Sequence, residues 1–184
     1  MLTHIDLSEG ANKKRVLIIG NSVSEGMSVF YKQLLPGFTV NMLSTDCFVT
    51  DKYYSFILDF TLLEARQSYD VICFTPCIDY NESPKVLQRA LNFAVQKIKA
   101  AHPNAKLVIT AHTMVNPQTA GKDKNLKIYG CNKELQNLSS ESGGVFVDLG
   151  TLSERIVLDH TPDGILFTDI GYRKLAFEVI KYIK

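Results

Sequence analysis

Five short apolar runs alternate with longer segments of helical periodicity along the chain, and this alternation is the feature that most constrains the fold. The runs read RVLIIG, FTVNML, DVICF, KLVIT and VFVDL, and they cover residues 15–20, 38–43, 70–74, 106–110 and 145–149. Continuous apolar runs of this length are typical of strands buried on both faces, which occur in parallel sheets covered by helices. We therefore predict a three-layer α/β fold in which a five-stranded parallel sheet is doubly wound.

The segments between the runs carry the start and stop signals of helices. In the clearest segment, Ser83 is a good N-cap, Pro84 fits the first helical position, and His102 and Pro103 end the helix. Helices are predicted over residues 26–35, 51–67, 84–102, 126–140 and 168–183. Right-handed crossovers between the strands then favour the order 2-1-3-4-5, with strands numbered along the chain.

Length and charge restrict the architecture and the partners. The chain has 184 residues, which suits one domain, and 46% hydrophobic with 21% charged residues is typical of a globular protein. Its formal charge of +1 argues against nucleic acid and anionic membranes as partners. No apolar run approaches the roughly 18 to 20 residues that span a bilayer, and the first residues lack an apolar signal region. We expect a cytoplasmic protein with a polar leader over residues 1–14 and one domain over residues 15–184.

The sequence carries no signature of a cofactor or a metal site. It has no G-x-G-x-x-G or Walker loop, and its four cysteines form no C-x-x-C pair. Cys73 and Cys77 lie on one face of an extended segment, too far apart for a tight metal site. We therefore expect neither a metal nor a cofactor. Four charged residues are interpreted as the solvated start of a helix and not as a recognition patch: Lys122, Asp123, Lys124 and Lys127.

Polar residues follow the carboxyl ends of the predicted strands, where open α/β sheets bind their ligands. Ser22 follows the first run, in the turn GNSVSEG, and its hydroxyl is expected to face this edge of the sheet. Backbone N–H groups at the start of the next helix can hold an oxyanion there, although a serine nucleophile needs a nearby base. Asp79, His112 and the segment with His160 and Asp163 follow other strands and should reach the same edge. By its local sequence alone, Ser22 also fits a helix cap.

Two segments resemble sequence blocks of the SGNH/GDSL hydrolases. The segment GNSVSEGM resembles the first block, G-D-S-(I/L)-T-x-G, with Asn21 in the position of the aspartate. The segment PDGILFTDIGYRKLAFEVI is similar to the last block, D-G-x-H-P-(T/N)-x-x-G-Y-x-x-(L/M)-A. The residues that match the two blocks are Gly20, Ser22, Gly26, Asp163, Gly164, Thr168, Gly171, Tyr172, Leu175 and Ala176. The resemblance extends over nearly the full chain and implies the flavodoxin-like sheet of that family.

The resemblance implies an esterase or acyltransferase that acts on small acyl esters, such as acetylated carbohydrate. It implies Ser22 as the nucleophile and Asp163 as the acid that orients the base. The base itself departs from the family pattern, because the family's histidine falls on Leu166 and the following proline on Phe167. Leucine cannot take a proton. The third block, G-x-N-D, falls on residues 76–79 (PCID), which lack the glycine and asparagine of the oxyanion hole.

Two of the four histidines are expected on the correct edge to replace the missing base. His160 is preferred, because Pro162 and Gly164 in its loop allow the ring to reach where residue 166 usually reaches. His112, after the fourth strand, is the alternative, and Asp79 is a further candidate acid or base. The residues expected to contribute to binding are Asn21, Asp79, His112 and Leu166.

Two other functions remain open beside acyl transfer. In the first, the chain is a catalytically degenerate SGNH-fold protein that binds a ligand or a protein partner, because Leu166 and Phe167 make the former active-site edge apolar. In the second, Cys77 acts with His112 and Asp79, which requires that the cysteine be a thiolate.

Overall fold

One sheet of six strands organises the part of the chain that the computed structural model describes, residues 3–6, 14–64 and 68–184. The strands are β1 (Thr3–Asp6), β2 (Lys14–Gly20), β3 (Phe38–Ser44), β4 (Val71–Phe74), β5 (Lys106–Thr110) and β6 (Val145–Val147). Their order across the sheet is β1-β3-β2-β4-β5-β6, in which β2 to β6 run parallel and β1 pairs antiparallel with β3. The five parallel strands confirm the predicted doubly wound fold and its strand order.

Helices on both faces of the sheet complete the three layers. In the described ranges they are α1 (Ser22–Leu34), α2 (Tyr54–Glu64), α3 (Pro84–Ala101), α4 (Lys122–Ser142), α5 (Leu149–Arg155) and α6 (Asp169–Ile183), with a 3-10 turn (Val157–Asp159) before α6. None of these helices combines the length and the apolar character that a bilayer-spanning helix needs. Residues 65–67 of the predicted second helix lie outside the described residues.

Side-chain caps set the start of the helices. Ser83 Oγ accepts a hydrogen bond from Val86 N at 3.4 Å, which confirms the predicted N-cap of α3. At α1 the cap is Asn21, whose Oδ1 accepts from Val23 N at 3.1 Å and from Ser24 N at 3.3 Å. Because of this cap, α1 starts at residue 22, which is earlier in the chain than the predicted start at residue 26.

Two elements of the fold were not predicted. The strand predicted over residues 145–149 ends at Val147, because Asp148 Oδ1 accepts from Thr151 N at 2.9 Å and caps the short helix α5. Within the predicted leader, Thr3–Asp6 forms β1 at the edge of the sheet, while residues 1–2 and 7–13 lie outside the described residues. The added strand extends the sheet on the side away from β4.

Alternate residues of β2 pack into two hydrophobic cores, one on each face of the sheet. Leu17 and Ile19 pack beneath α2, α3 and α4, whereas Val16 and Ile18 pack beneath α1 and α6. All four side chains are at most 2% exposed. Burial of an aliphatic side chain of this size contributes about 1.5–3 kcal/mol. The carboxyl end of β2, where the chain turns into α1, is therefore firmly positioned.

Helices α1 and α6 approach each other closely at Gly26. A Cβ at this position would overlap the ring of Tyr172 on α6. Gly26 and Tyr172 belong to the two segments that resemble the SGNH/GDSL blocks, so the resemblance at these positions corresponds to a contact between the two helices.

We expect Gly26→Ala to lower the free energy of unfolding by about 1–3 kcal/mol, the usual effect of overpacking. Gly130 in α4 is the matched control, because a Cβ there would meet no atom within 4 Å. Gly130→Ala should raise the free energy of unfolding by up to about 1 kcal/mol through helix propensity. Urea unfolding followed by circular dichroism measures both changes. Equal stabilisation by the two substitutions would contradict the close contact with Tyr172.

Candidate active site

A cavity of about 180 Å³ lies at the carboxyl edge of the sheet, beyond the ends of β2, β4 and β5. Its polar lining comes mainly from the segments that follow these strands: Asn21, Ser22, Thr75, Cys77, His112 and Thr113. Its apolar lining includes Met27, Phe48, Ile78, Val115, Leu149 and Ile165. Of the residues predicted for the site, the cavity brings together Asn21, Ser22 and His112.

Ser22 is the first residue of α1, and its side chain is exposed at this cavity. The first N–H groups of a helix have no acceptor within the helix. Asn21 Oδ1 accepts from those of Val23 and Ser24, which leaves the N–H of Ser22 for a group in the cavity. No described residue hydrogen-bonds the Ser22 hydroxyl. Ser22 therefore combines a free hydroxyl with a free backbone donor.

His112 lies buried against the same cavity, and both of its ring nitrogens are occupied. Nε2 is 2.7 Å from Pro76 O, and Nδ1 is 2.7 Å from the Tyr80 hydroxyl. Because a carbonyl only accepts, Nε2 carries the proton and Nδ1 accepts from Tyr80. Burial lowers the pKa of His112 to about 4, so the ring is neutral near pH 7. In this arrangement His112 has no free lone pair for the proton of Ser22.

His160 lies in the loop before α6, outside the lining of the cavity. Its Nδ1 is 3.0 Å from Val157 O, and its Nε2 is 3.1 Å from Met114 O. The ring also stacks on Phe167, with centroids 4.2 Å apart. No hydrogen bond among the described residues joins His160 to Ser22, and service as its base requires Nε2 to leave Met114 O.

Asp163 organises the loop over residues 159–168. Its Oδ1 accepts hydrogen bonds from Ile165 N at 2.8 Å, Thr161 Oγ1 at 2.7 Å and Leu166 N at 3.1 Å. These bonds, above all that from Ile165 N, lower the pKa of Asp163, and the charge of His160 acts in the same direction. His160 and Asp163 are thus within electrostatic reach of each other. The same loop reaches the cavity through the Ile165 side chain.

The apolar side chains of this loop are placed differently from the expectation. Phe167 is only 3% exposed and packs in the core beneath α1 and α6, instead of facing the edge of the sheet. Leu166 is half-buried and does not line the cavity. Ile165, which is 41% exposed, supplies an apolar side chain to the cavity instead, and its backbone N donates to Asp163 Oδ1.

Asp79 and Cys77 do not form the nucleophilic pair that the cysteine hypothesis requires. Asp79 lies outside the lining of the cavity, and its Oδ1 accepts from Asn81 N at 2.9 Å. Cys77 does line the cavity, but burial and then the charge of Asp46 raise its pKa to about 11. Cys77 is therefore a neutral thiol near pH 7, and the thiolate hypothesis is wrong.

Lys124 also lines the cavity, which corrects its interpretation as part of a solvated helix start. It lies in the first turn of α4, the helix that begins after the loop following β5. A helix entered from the carboxyl end of a parallel strand starts at the ligand-binding edge of the sheet. Strand order was therefore the signal that could have identified Lys124. Lys122, two residues earlier, is exposed as expected.

Comparisons with known proteins identify the fold. No family model matches the chain, and no curated protein matches it in sequence. A lipase/acylhydrolase from Enterococcus faecalis matches in structure with a TM-score of 0.74 at 15% identity, over 92% of this chain and 95% of that chain. A GDSL-like lipase from Bacteroides thetaiotaomicron matches with a TM-score of 0.69 at 18% identity, over 92% and 87%. The acetyl xylan esterase AlAXEase matches with a TM-score of 0.72 at 15% identity, over 92% and 100%.

The chain has the fold of the SGNH/GDSL hydrolases. In this SGNH/GDSL fold, the two segments that resemble the first and last blocks lie on either side of the contact between α1 and α6. The segment with Ser22 starts α1, and the segment with Asp163 leads into α6. The two segments thus meet where Gly26 approaches Tyr172, although these residues are 146 positions apart in the chain.

The neutral state of the His112 ring predicts how the stability of the protein depends on pH. In the unfolded chain a histidine takes up a proton below about pH 6.5, whereas His112 in the folded chain does so only near pH 4. The free energy of unfolding should therefore fall as the pH drops through this window, by about 1.4 kcal/mol per pH unit from this residue.

Urea unfolding of the wild type and of His112→Gln between pH 7.5 and 5 measures the effect. The total loss over this range should be smaller in His112→Gln by about 2 kcal/mol. Burial also lowers the pKa of His102, so the variant should keep part of the dependence. Identical losses in the two proteins would contradict the neutral state of His112.

Proposed function

We propose that the cavity at Ser22 is the active site of an ester hydrolase or acyltransferase that acts on small acyl esters, with Ser22 as the nucleophile. The observation that carries the proposal is the position of this residue, an exposed serine at the first position of α1. It lines a cavity at the carboxyl edge of a sheet with the SGNH/GDSL fold. Because a fold by itself does not specify a reaction, the proposal rests on Ser22 and its surroundings.

The surroundings of Ser22 fit the charge that develops during acyl transfer. Attack of Ser22 Oγ on the ester carbonyl carbon makes a tetrahedral intermediate with a negative oxygen. The free N–H of Ser22 lies at the positive end of α1 and is available to this oxygen. Asn21 lines the cavity beside it and carries a second donor in its amide group. Departure of the alcohol then leaves an acyl-enzyme, which water or an acceptor hydroxyl resolves.

In this proposal the serine proton passes to His160 and from there to the leaving alcohol. The ring must exchange its contact with Met114 O for one with Ser22. The Asp163 carboxylate, which is electrostatically coupled to His160, would stabilise the imidazolium that forms. The loop that carries both residues already contacts the cavity through Ile165, which supports its participation.

Acetyl esters are the substrates that we propose, including acetylated carbohydrate in the cytoplasm. A cavity of about 180 Å³ fits a small acyl group. Two of the structural neighbours are described as an acetyl xylan esterase and a lipase/acylhydrolase, which supports ester chemistry at this edge of the fold. The apolar lining around Met27 and Ile165 suits the methyl end of an acyl group.

Ser22→Ala tests the proposal. We expect p-nitrophenyl acetate to give a burst of p-nitrophenol with the wild type, because the acyl-enzyme forms before it is hydrolysed. The burst should disappear in Ser22→Ala, and kcat should fall by about 1,000-fold or more. Ser140→Ala, an exposed serine on α4, is the matched control and should keep the burst. Bursts of equal size in Ser22→Ala and the wild type would exclude Ser22 as the nucleophile.

A second candidate function is ligand binding without catalysis at the same cavity. It is favoured by the contacts of the two histidines, since both ring nitrogens of His112 and of His160 face protein atoms and not Ser22. It is also favoured by Leu166, which stands where the SGNH/GDSL resemblance places a histidine. In this case Ser22 would bind the ligand as a hydrogen-bond donor.

Leu166→His separates the two candidates. If His160 is the base, the wild type should hydrolyse p-nitrophenyl acetate. Leu166→His should then change kcat by less than about tenfold, well below the roughly 100-fold or more that a general base contributes. Leu166→Gln, which is polar but takes no proton, is the control. An inactive wild type together with hydrolysis by Leu166→His alone would favour ligand binding.

A further inference from the structure

Lys124 carries the only formal charge near pH 7 among the described residues that line the Ser22 cavity. The other titratable residues of the lining are neutral. Burial lowers the pKa of His112 to about 4, raises that of Cys77 to about 11, and also raises that of Tyr80. No aspartate or glutamate is part of the lining in the described ranges. The cavity is therefore positively charged through one side chain.

The ammonium group of Lys124 has no protein partner among the described residues, unlike those of Lys127 and Lys174. Lys127, in the same helix, donates to Asn81 Oδ1 at 2.7 Å. Lys174 forms an ion pair with Asp159 at 2.7 Å. Lys124 is half-buried and forms neither a hydrogen bond nor an ion pair with any described side chain. A partly desolvated ammonium without a counter-charge favours the binding of an anion.

The acidic residues around the cavity do not neutralise Lys124. Asp79 accepts hydrogen bonds from Asn81 and lies outside the lining. Asp46 acts on the pKa of Cys77 but is not part of the lining either. Asp123 is adjacent to Lys124 in sequence and is exposed to solvent. The charge of Lys124 is thus available to a ligand inside the cavity.

Lys124 and Ser22 reach the cavity from different strands. Ser22 follows β2 and Lys124 lies beyond β5, with β4 between the two strands. Neighbouring strands are about 4.8 Å apart, so β2 and β5 are separated by about 10 Å at the edge of the sheet. A ligand that contacts both residues therefore holds its charged group several ångströms away from the bond that Ser22 attacks.

We propose that Lys124 determines substrate specificity, so that the preferred substrate is an ester that carries a carboxylate on its alcohol side. The inference rests on the proposed function of Ser22 and adds the class of its substrate. One ammonium in an otherwise neutral cavity balances the single charge of a carboxylate, whereas a phosphate dianion would leave an excess negative charge. A carboxylate bound by an ammonium makes a charge-assisted hydrogen bond, which is stronger than a neutral one.

A matched pair of esters tests the proposal: 4-acetoxybenzoate, which is anionic, and 4-acetoxybenzamide, which has nearly the same shape and is neutral. Lys124→Met should lower kcat/KM for 4-acetoxybenzoate about tenfold, equivalent to ~1.4 kcal/mol. The kcat/KM for 4-acetoxybenzamide should change by less than about twofold, because this neutral substrate has no carboxylate for Lys124 to bind. Lys124→Arg should keep the benzoate value within about threefold, because the charge is retained.

Lys122→Met is the control for the general charge of this helix turn, because Lys122 is exposed and lies outside the lining. It should leave both kcat/KM values unchanged. A second measurement is calorimetric binding of 4-hydroxybenzoate, which should be about tenfold weaker in Lys124→Met than in the wild type. This measurement does not require the protein to be an esterase.

The outcomes separate the specificity proposal from the proposed function. If Ser22→Ala turns over both esters like the wild type, while Lys124→Met selectively weakens 4-hydroxybenzoate binding, the nucleophile is wrong and the carboxylate site stands. Equal losses on the two esters in both Lys124→Met and Lys124→Arg would overturn the specificity proposal, because Lys124 would then act in the reaction itself. No change on either ester or in binding would also overturn it.

Discussion

The burial of β2 on both faces is the constraint on which the rest of the structure depends. Its residues pair with β3 on one side and β4 on the other, and its side chains enter two separate cores. The first turn of α1 packs closely against Gly20, where a side chain would overlap Ser24. Asn21 then satisfies two N–H groups of the next turn, so the strand passes directly into α1. This is why Ser22 lies at the head of a helix and at the edge of the sheet.

A network of buried polar groups holds the opposite side of the cavity. His112 contacts Pro76 and Tyr80 through its ring, and its backbone N and O both bond the Asn132 amide, at 2.7 and 2.8 Å. The network ties the segments after β4 and β5 to α4. Since a buried unpaired polar group costs more than a paired one gains, such a network is rigid when every member is satisfied. His112 therefore shapes the cavity in its neutral form.

The electrostatics of the cavity follow from this arrangement. Because the buried histidine is neutral and the cysteine is a protonated thiol, the field inside comes from Lys124 and from the positive end of α1. Both favour negative charge, one at a carboxylate and the other at the oxygen of a tetrahedral intermediate. The two parts of our proposal thus use the same physical property of the site, at two positions along the edge of the sheet.

The sequence by itself determined the five parallel strands, most helices and the position of Ser22 after the first of these strands, because these depend on apolar runs and on caps such as Ser83 that act over a few residues. Gly26 and Tyr172, which match the SGNH/GDSL blocks, lie at a contact between α1 and α6. A small and an aromatic residue at these positions set the distance between the two helices. Only the tertiary structure decided the partners of His112 and His160 and the positions of Ile165 and Lys124 at the cavity. The contacts of His112 with Pro76 and of His160 with Met114 join residues 36 and 46 positions apart. Loop packing, which no local pattern encodes, fixes where their side chains meet.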